Sequence, residues 1–280
     1  MKRTLPAILC IVAVLFFLLS PGPSLAERIV RLSDRQVIDF KELIAEVRGA
    51  RLVFIGEDHD RMEDHWRQLR IIKALNDTGV PLAIGLEMFT AENQGILDKW
   101  VAGEMDEATF SARYLRNWDI PWDYYRDIFH FARRHGIPLV GLNLPREVVH
   151  KVASRGFATL SPEERKRIPA GVTCNVDNAY IAMVRRAFAG HAGNRDLFVH
   201  FCEAQMLWNK SMARRLVEYG REHPGRTIVV LAGSGHATRP GIPGEVAAEA
   251  DPGQRVILPE DAAFNRDTVT AADADYLVER

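Results

Sequence analysis

The feature that most constrains this fold is a set of four short, unbroken apolar runs. They are Leu52-Val53-Phe54-Ile55, Leu82-Ala83-Ile84, Pro138-Leu139-Val140 and Thr227-Ile228-Val229-Val230-Leu231, each stopping at glycine and polar residues. A strand with one wet face alternates polar with apolar residues, whereas a strand covered on both faces is apolar throughout. The runs therefore predict buried, mostly parallel strands, and Arg255-Val256-Ile257-Leu258 is a weaker fifth. Helix-period segments lie between them. Trp66, Leu69, Ile72 and Leu75 recur three apart, and Asn93 to Val101, Tyr124 to Arg134, Asn178 to Phe188 and Ala204 to Tyr219 carry similar stripes. Ser161-Pro162-Glu163-Glu164 reads as an N-cap, a first-turn proline and an acid at the third helical position. Strand alternating with helix predicts an α/β fold, a mostly parallel central sheet flanked by helices. The stretches near 100–135 and 155–220 are helical text without a strand, expected as insertions over the C-terminal strand ends. The polar tail beyond 260 is expected to be loosely held.

The first 26 residues read differently. Lys2 and Arg3 precede an apolar run from Leu5 to Leu19, Pro21-Gly22-Pro23 breaks it, and Ser24-Leu25-Ala26 offers small residues before Glu27. This is the pattern of a secretory signal peptide, and the run is too short for an ordinary spanning helix. The expectation is a leader over 1–26 and one α/β domain over 27–280, periplasmic or secreted, touching a membrane only if the leader is retained. Cys10 lacks the small residues that precede a lipidated cysteine. Loss of the two leader cations takes the net charge from −1 to −3, which argues against a nucleic-acid partner. Cys174 and Cys202 then remain, and sequence leaves both pairing and free burial open.

In an open α/β sheet, ligands bind beyond the carboxyl ends of the strands. All four strong runs deliver polar residues to that edge: Glu57, Asp58 and His59 after the first, Glu87 after the second, Asn143 and Arg146 after the third, Ser234 and His236 after the fourth. The first and fourth share the form Gly-x-x-His, in Gly56 to His59 and Gly233 to His236. Two imidazoles with one or two carboxylates suit a divalent metal such as zinc or manganese, and they equally suit acid–base chemistry. Trp118, Trp122, Tyr124 and Tyr125 form an aromatic group that can serve as core or wall an apolar pocket over the strand ends. A tyrosine phenolate or a histidine nitrogen can be an axial ligand to haem iron, and a propionate would need one or two cations. Gly233-Ser234-Gly235 lacks the spacing of a nucleophile elbow.

Several blocks together resemble the ChaN family of haem-uptake proteins. They are Gly56-Glu57-x-His59-Asp60; Gly85-Leu86-Glu87-Met88-Phe89 with Gln94 and Trp100; Trp122-x-x-Tyr125 with Ala132; Leu142-Asn143-x-Pro145-Arg146; Ala204-Gln205 with Met212-Ala213; and Leu231-Ala232-Gly233-x-Gly235-His236. They occur in order over nearly the whole chain after the leader. Asn209 departs from the pattern, standing where an acidic residue is expected. The resemblance implies haem as ligand, a part in iron uptake with an outer-membrane haem-uptake system, and homodimers that enclose haem. On that reading Tyr125, or less readily Tyr124, is the axial ligand, and Asn143 and Arg146 help hold the cofactor. The wider superfamily includes erythromycin-esterase-like hydrolases and Tiki metalloproteases, which are similar in their paired Gly-x-x-His motifs. It implies the alternative, a metal-dependent hydrolase of peptide or ester bonds. There Glu57 is the general base, His59, Glu87 and His236 the metal ligands, and Arg146 the oxyanion stabiliser.

Overall fold

The computed structural model describes residues 27–187, 195–250 and 253–279. The expected leader lies outside the described residues, as does Phe188 at the end of one expected helix. In chain order the elements are β1 (Ile29–Arg31), β2 (Val37–Ile38), α1 (Phe40–Val47), β3 (Leu52–Glu57), α2 (Met62–Asp77), β4 (Leu82–Thr90), α3 (Gln94–Val101), α4 (Glu107–Asn117), α5 (Trp122–His135) and β5 (Leu139–Asn143). There follow α6 (Arg146–Arg155), α7 (Pro162–Arg165), α8 (Asn178–Ala187), α9 (Arg195–Glu222), β6 (Thr227–Gly233), α10 (Ser234–Ala237), α11 (Ile242–Glu249), β7 (Gln254–Pro259) and β8 (Tyr276–Val278).

The strands form one sheet of eight in the order β2-β1-β8-β7-β3-β6-β4-β5. From β8 to β5 every neighbouring pair is parallel, and β1 and β2 add an antiparallel edge. All five strands expected from the apolar runs are present. Successive side chains point to opposite faces of a strand, so each apolar run feeds two cores. Val53, Ile55, Ile84, Val229 and Leu231 join a layer with α1, α2, α3 and α5. Phe54, Ala83, Val230 and Val256 join the opposite layer with Met212 and Leu216 of α9 and Val246 of α11. That double coverage is why the runs do not alternate.

Three expectations are corrected. Strands β3, β4 and β6 run past their apolar stretches to Glu57, Thr90 and Gly233, so Glu57 and Glu87 belong to strands rather than to the loops after them. The polar tail returns to the sheet: β8 is wholly buried between β1 and β7, where its backbone completes both ladders. Trp66 is 58 % exposed. The face of α2 that meets the sheet runs instead through His65, Gln68, Leu69, Ile72 and Leu75, all buried, and a residue one place from His65 is turned about 100° away from it. The reading of residues 161–164 matches the structure, where Ser161 and Glu164 form a reciprocal capping box.

Candidate functional site

Parallel pairing sets Glu57 of β3 directly beside Gly233 of β6. The absence of a side chain at 233 is what admits the neighbours: a Cβ there would lie 2.9 Å from His59 Cε1 and 3.1 Å from its Nε2. The Gly233 amide donates to Glu87 Oε2 at 2.8 Å. Glu57, Glu87, His59 and His236 are thus gathered around one backbone position.

Glu57 is the hub of a buried network. Its Oε1 lies 2.8 Å from His59 Nδ1 and also accepts from the Tyr125 hydroxyl. Its Oε2 accepts from Gln68 Nε2 at 2.5 Å, and His65 Nδ1 stands 3.5 Å away. Burial alone would push the Glu57 carboxyl up, but the hydrogen bonds and charges of His59 and His65 outweigh it and hold it well below the usual carboxylate range. Burial would lower His59, but Glu57, with help from Glu87, raises it to about 9. The second imidazole is set the opposite way. His236 Nδ1 lies 2.7 Å from Asn209 Oδ1, and burial drives its pKa down despite Glu87, whose Oε1 is 3.7 Å from Nε2. Because an amide oxygen can only accept, Nδ1 carries the proton and the Nε2 lone pair faces Glu87. Asn209, the position that departs from the family pattern, thereby fixes the His236 tautomer, while burial keeps the ring neutral.

Above these groups opens a cavity of about 1520 Å³. Its floor is Glu57, His59, Glu87 and His236; Met88, Trp118, Leu144, Val149, Trp208 and Phe264 supply much of its wall. One side is the face of α6 bearing Arg146, Lys151 and Arg155. Arg146 makes a two-pronged pair with Asp119, and Lys151 pairs with Glu164 at 2.6 Å, while no ion pair of Arg155 is found among the described residues.

Not every expected residue faces that space. Tyr125 is wholly buried, and burial together with Glu57 raises its pKa well above the ordinary value, so its hydroxyl serves as a donor to Glu57. Tyr124 packs edge-on against His65 at 5.6 Å between ring centroids. Neither tyrosine lines the cavity. Asn143 reaches it, but its polar atoms are engaged by Glu87 O, the Leu144 amide and Trp208 Nε1, each at 2.7 Å. Of the aromatic group, Trp118 lines the pocket and Trp122 packs with the core. Among the described residues no group of three His, Cys, Asp or Glu side chains is placed to hold a metal ion. His59, Glu87 and His236 each have one polar atom engaged, by Glu57, the Gly233 amide and Asn209 respectively. Cys174 and Cys202 are free thiols, both pushed up chiefly by burial, to about 12 and about 11.

Sequence reasoning missed His65 and Gln68. Their signal was two polar residues three apart on the apolar stripe of α2, which a core-facing helix tolerates only if they are satisfied.

Fold and site together define an α/β unit with a large ligand pocket at the carboxyl edge of its sheet. The chain belongs to the ChaN family of haem-binding uptake proteins in the Tiki superfamily, whose model matches residues 43–246. Among solved structures it is similar to ChaN of Campylobacter jejuni, described as binding haem cofacially, at 20 % identity over 90 % of this chain and 95 % of that one, with a TM-score of 0.70. It is also similar to an erythromycin esterase in its open conformation, at 16 % identity over 83 % of this chain and 76 % of the other, with a TM-score of 0.52. At these identities the likeness establishes the fold. No curated protein matches the chain significantly.

Proposed function

We propose that this protein binds haem in the cavity above the strand ends, as part of haem and iron uptake outside the cytoplasm. The observation that carries the reading, beyond family membership, is the cavity itself. Pockets for drug-sized ligands run to about 1,000 Å³, and this one reaches about 1520 Å³. Its walls are largely apolar, as a porphyrin face requires, and the cations of α6 lie to one side, where carboxylates of a bound porphyrin would find them. Arg155 is the first candidate for that contact, and Arg146 would have to share its guanidinium with Asp119. Titrating the mature protein with haemin is expected to give a saturable Soret change. A spectrum that never departs from that of free haemin would defeat the proposal. Replacing Arg155 and Lys151 by alanine should weaken haemin binding more than binding of its dimethyl ester, which lacks the propionate charges. The family also motivates a haem-linked homodimer, tested by sedimentation with and without haemin.

A hydrolytic reading of the same floor is favoured by one observation, the carboxylate-held imidazole of His59. Glu57 is too deeply engaged to meet a water itself, so proton transfer would fall to His59 with Glu57 orienting it. Turnover of an activated aryl ester, abolished by His59→Gln, is the expected sign. Absence of turnover by wild-type protein removes this reading.

A further inference from the structure

Two buried acceptors on the cavity floor face each other with no donor between them. His236 Nδ1 holds its proton against Asn209 Oδ1 at 2.7 Å, which turns the Nε2 lone pair toward Glu87 Oε1, 3.7 Å away. That separation is too long for a hydrogen bond. Because residue 209 is an amide and not an acid, no charge behind His236 holds a second proton on the ring. The other Glu87 oxygen takes the Gly233 amide at 2.8 Å, and no donor to Oε1 is found among the described residues. Both side chains line the cavity, yet Glu87 is only 3 % exposed and His236 7 %. Buried polar atoms are as a rule satisfied, and leaving one unpaired is costly. The pair is complete only when something in the cavity donates to both.

A third polar group stands beside them. Gln205 lies one turn before Asn209 on α9, and residues four apart share a helix face. It lines the cavity at 5 % exposed, and no hydrogen bond of its side-chain amide is found among the described residues.

We propose that Glu87 Oε1, His236 Nε2 and the Gln205 side-chain carbonyl form a binding site for the primary ammonium group of a small organic cation. An ammonium nitrogen carries three N–H donors and no acceptor, which matches three acceptors. One nitrogen can stand about 3 Å from both Oε1 and Nε2, because those two atoms are 3.7 Å apart. Charge favours the same occupant. No ion pair of Glu87 with lysine or arginine is found among the described residues, and the imidazole of His59 is already held by Glu57 at 2.8 Å. The indole of Trp208, which lines the cavity, stands edge-on to His236 at 5.4 Å between ring centroids. Aromatic faces attract organic cations. A carboxylate would meet the Glu87 charge, and a quaternary ammonium would leave all three acceptors unpaired. The site draws on none of the α6 cations, so it stands apart from the haem reading above.

The test is isothermal titration calorimetry of haem-free protein with butylammonium, set against tetramethylammonium, which has the charge without N–H donors, and against butyrate. Butylammonium is expected to bind saturably and about tenfold or more tightly than either. Gln205→Leu removes an amide without a protein partner and should weaken butylammonium binding about threefold. Glu87→Gln should weaken it about tenfold or more, with circular dichroism establishing the fold. Nitrogen NMR of wild-type protein with labelled histidine serves if Glu87→Gln does not fold. There the His236 Nε2 resonance should shift on adding butylammonium and stay still with tetramethylammonium. Equal binding of the two cations, unchanged affinity in both folded variants, or an unmoved Nε2 resonance would each overturn the assignment. Putrescine and alaninamide separate the sources of the amine. Tighter binding of the first supports polyamines as the natural ligand, and of the second peptide-like amines. No readout here uses haemin, so this assignment and the haem reading fail separately.

Discussion

Glu57 shows how a buried carboxylate becomes a structural keystone. It sits 2 % exposed among four donors or imidazoles from two helices and the turn after β3. Removing one member of a buried charged network leaves its partners unsatisfied, which costs about 3–5 kcal/mol. Glu57→Ala is therefore expected to lose stability on that scale in urea unfolding, whereas Tyr125→Phe, which removes one donor and keeps the ring, should lose only about 0.5–1.5 kcal/mol. Gly233→Ala addresses the same centre from the other strand. Its added methyl would press on His59 at 2.9 Å, so haemin affinity is expected to fall tenfold or more while the far-ultraviolet circular dichroism stays unchanged. Much of this centre was legible in the sequence, because Glu57, His59, Glu87 and His236 each lie at or within three residues of a strand's end, and a parallel sheet brings such ends together. The supporting residues were not. Tyr125 meets Glu57 across 68 positions of sequence and from a different helix, a register no local pattern encodes. Asn209 was visible only as a departure, and its work on the His236 tautomer needed the contact itself.

At the scale of elements, the strands divide by length and burial. Those of the central five announce themselves because both faces need apolar residues. Strands β1, β2 and β8 are two or three residues long, too short for any period to be counted, and β8 follows a polar stretch that reads as a frayed end. Yet β8 bridges β1 and β7, and its Leu277 is fully buried in the layer shared with α9 and α11. Leu277→Ala is expected to cost about 2–5 kcal/mol, as for other buried leucines, read as a lowered urea midpoint. Deleting 262–280 would strip the β7 edge of its neighbour and expose it to other chains; soluble yield and aggregation under native conditions check that outcome.

For the whole molecule, the opposed settings of Glu57 and His59 shape stability against pH. His59 is raised from an ordinary 6.5 to about 9, so its contribution is complete below 6.5 and lost as pH climbs through 9. Glu57 is depressed from 4.5, so its contribution is present above 4.5 and is lost as pH falls toward its lowered folded value. From this pair, thermal stability is expected to be greatest between those limits, and the gap in Tm between wild type and His59→Gln should narrow as pH rises from 6.5 toward 10. Folding carries its own signature, since the central pairing of β3 with β6 joins residues 52–57 to 228–233. Such distant contacts slow folding, and the sheet cannot close until most of the chain is available. The outer pairing has an effect of another kind. Ile29 lies opposite Val278, which in turn lies beside Pro259 at the far end of β7, so the chain enters the sheet on the side where the parallel strands finish. Anything fastened ahead of Glu27, whether a retained leader or a laboratory support, takes hold on the cavity's own side, three strands from β3. An attachment there would crowd the mouth of the cavity, whereas one at the opposite edge of the sheet would leave it clear.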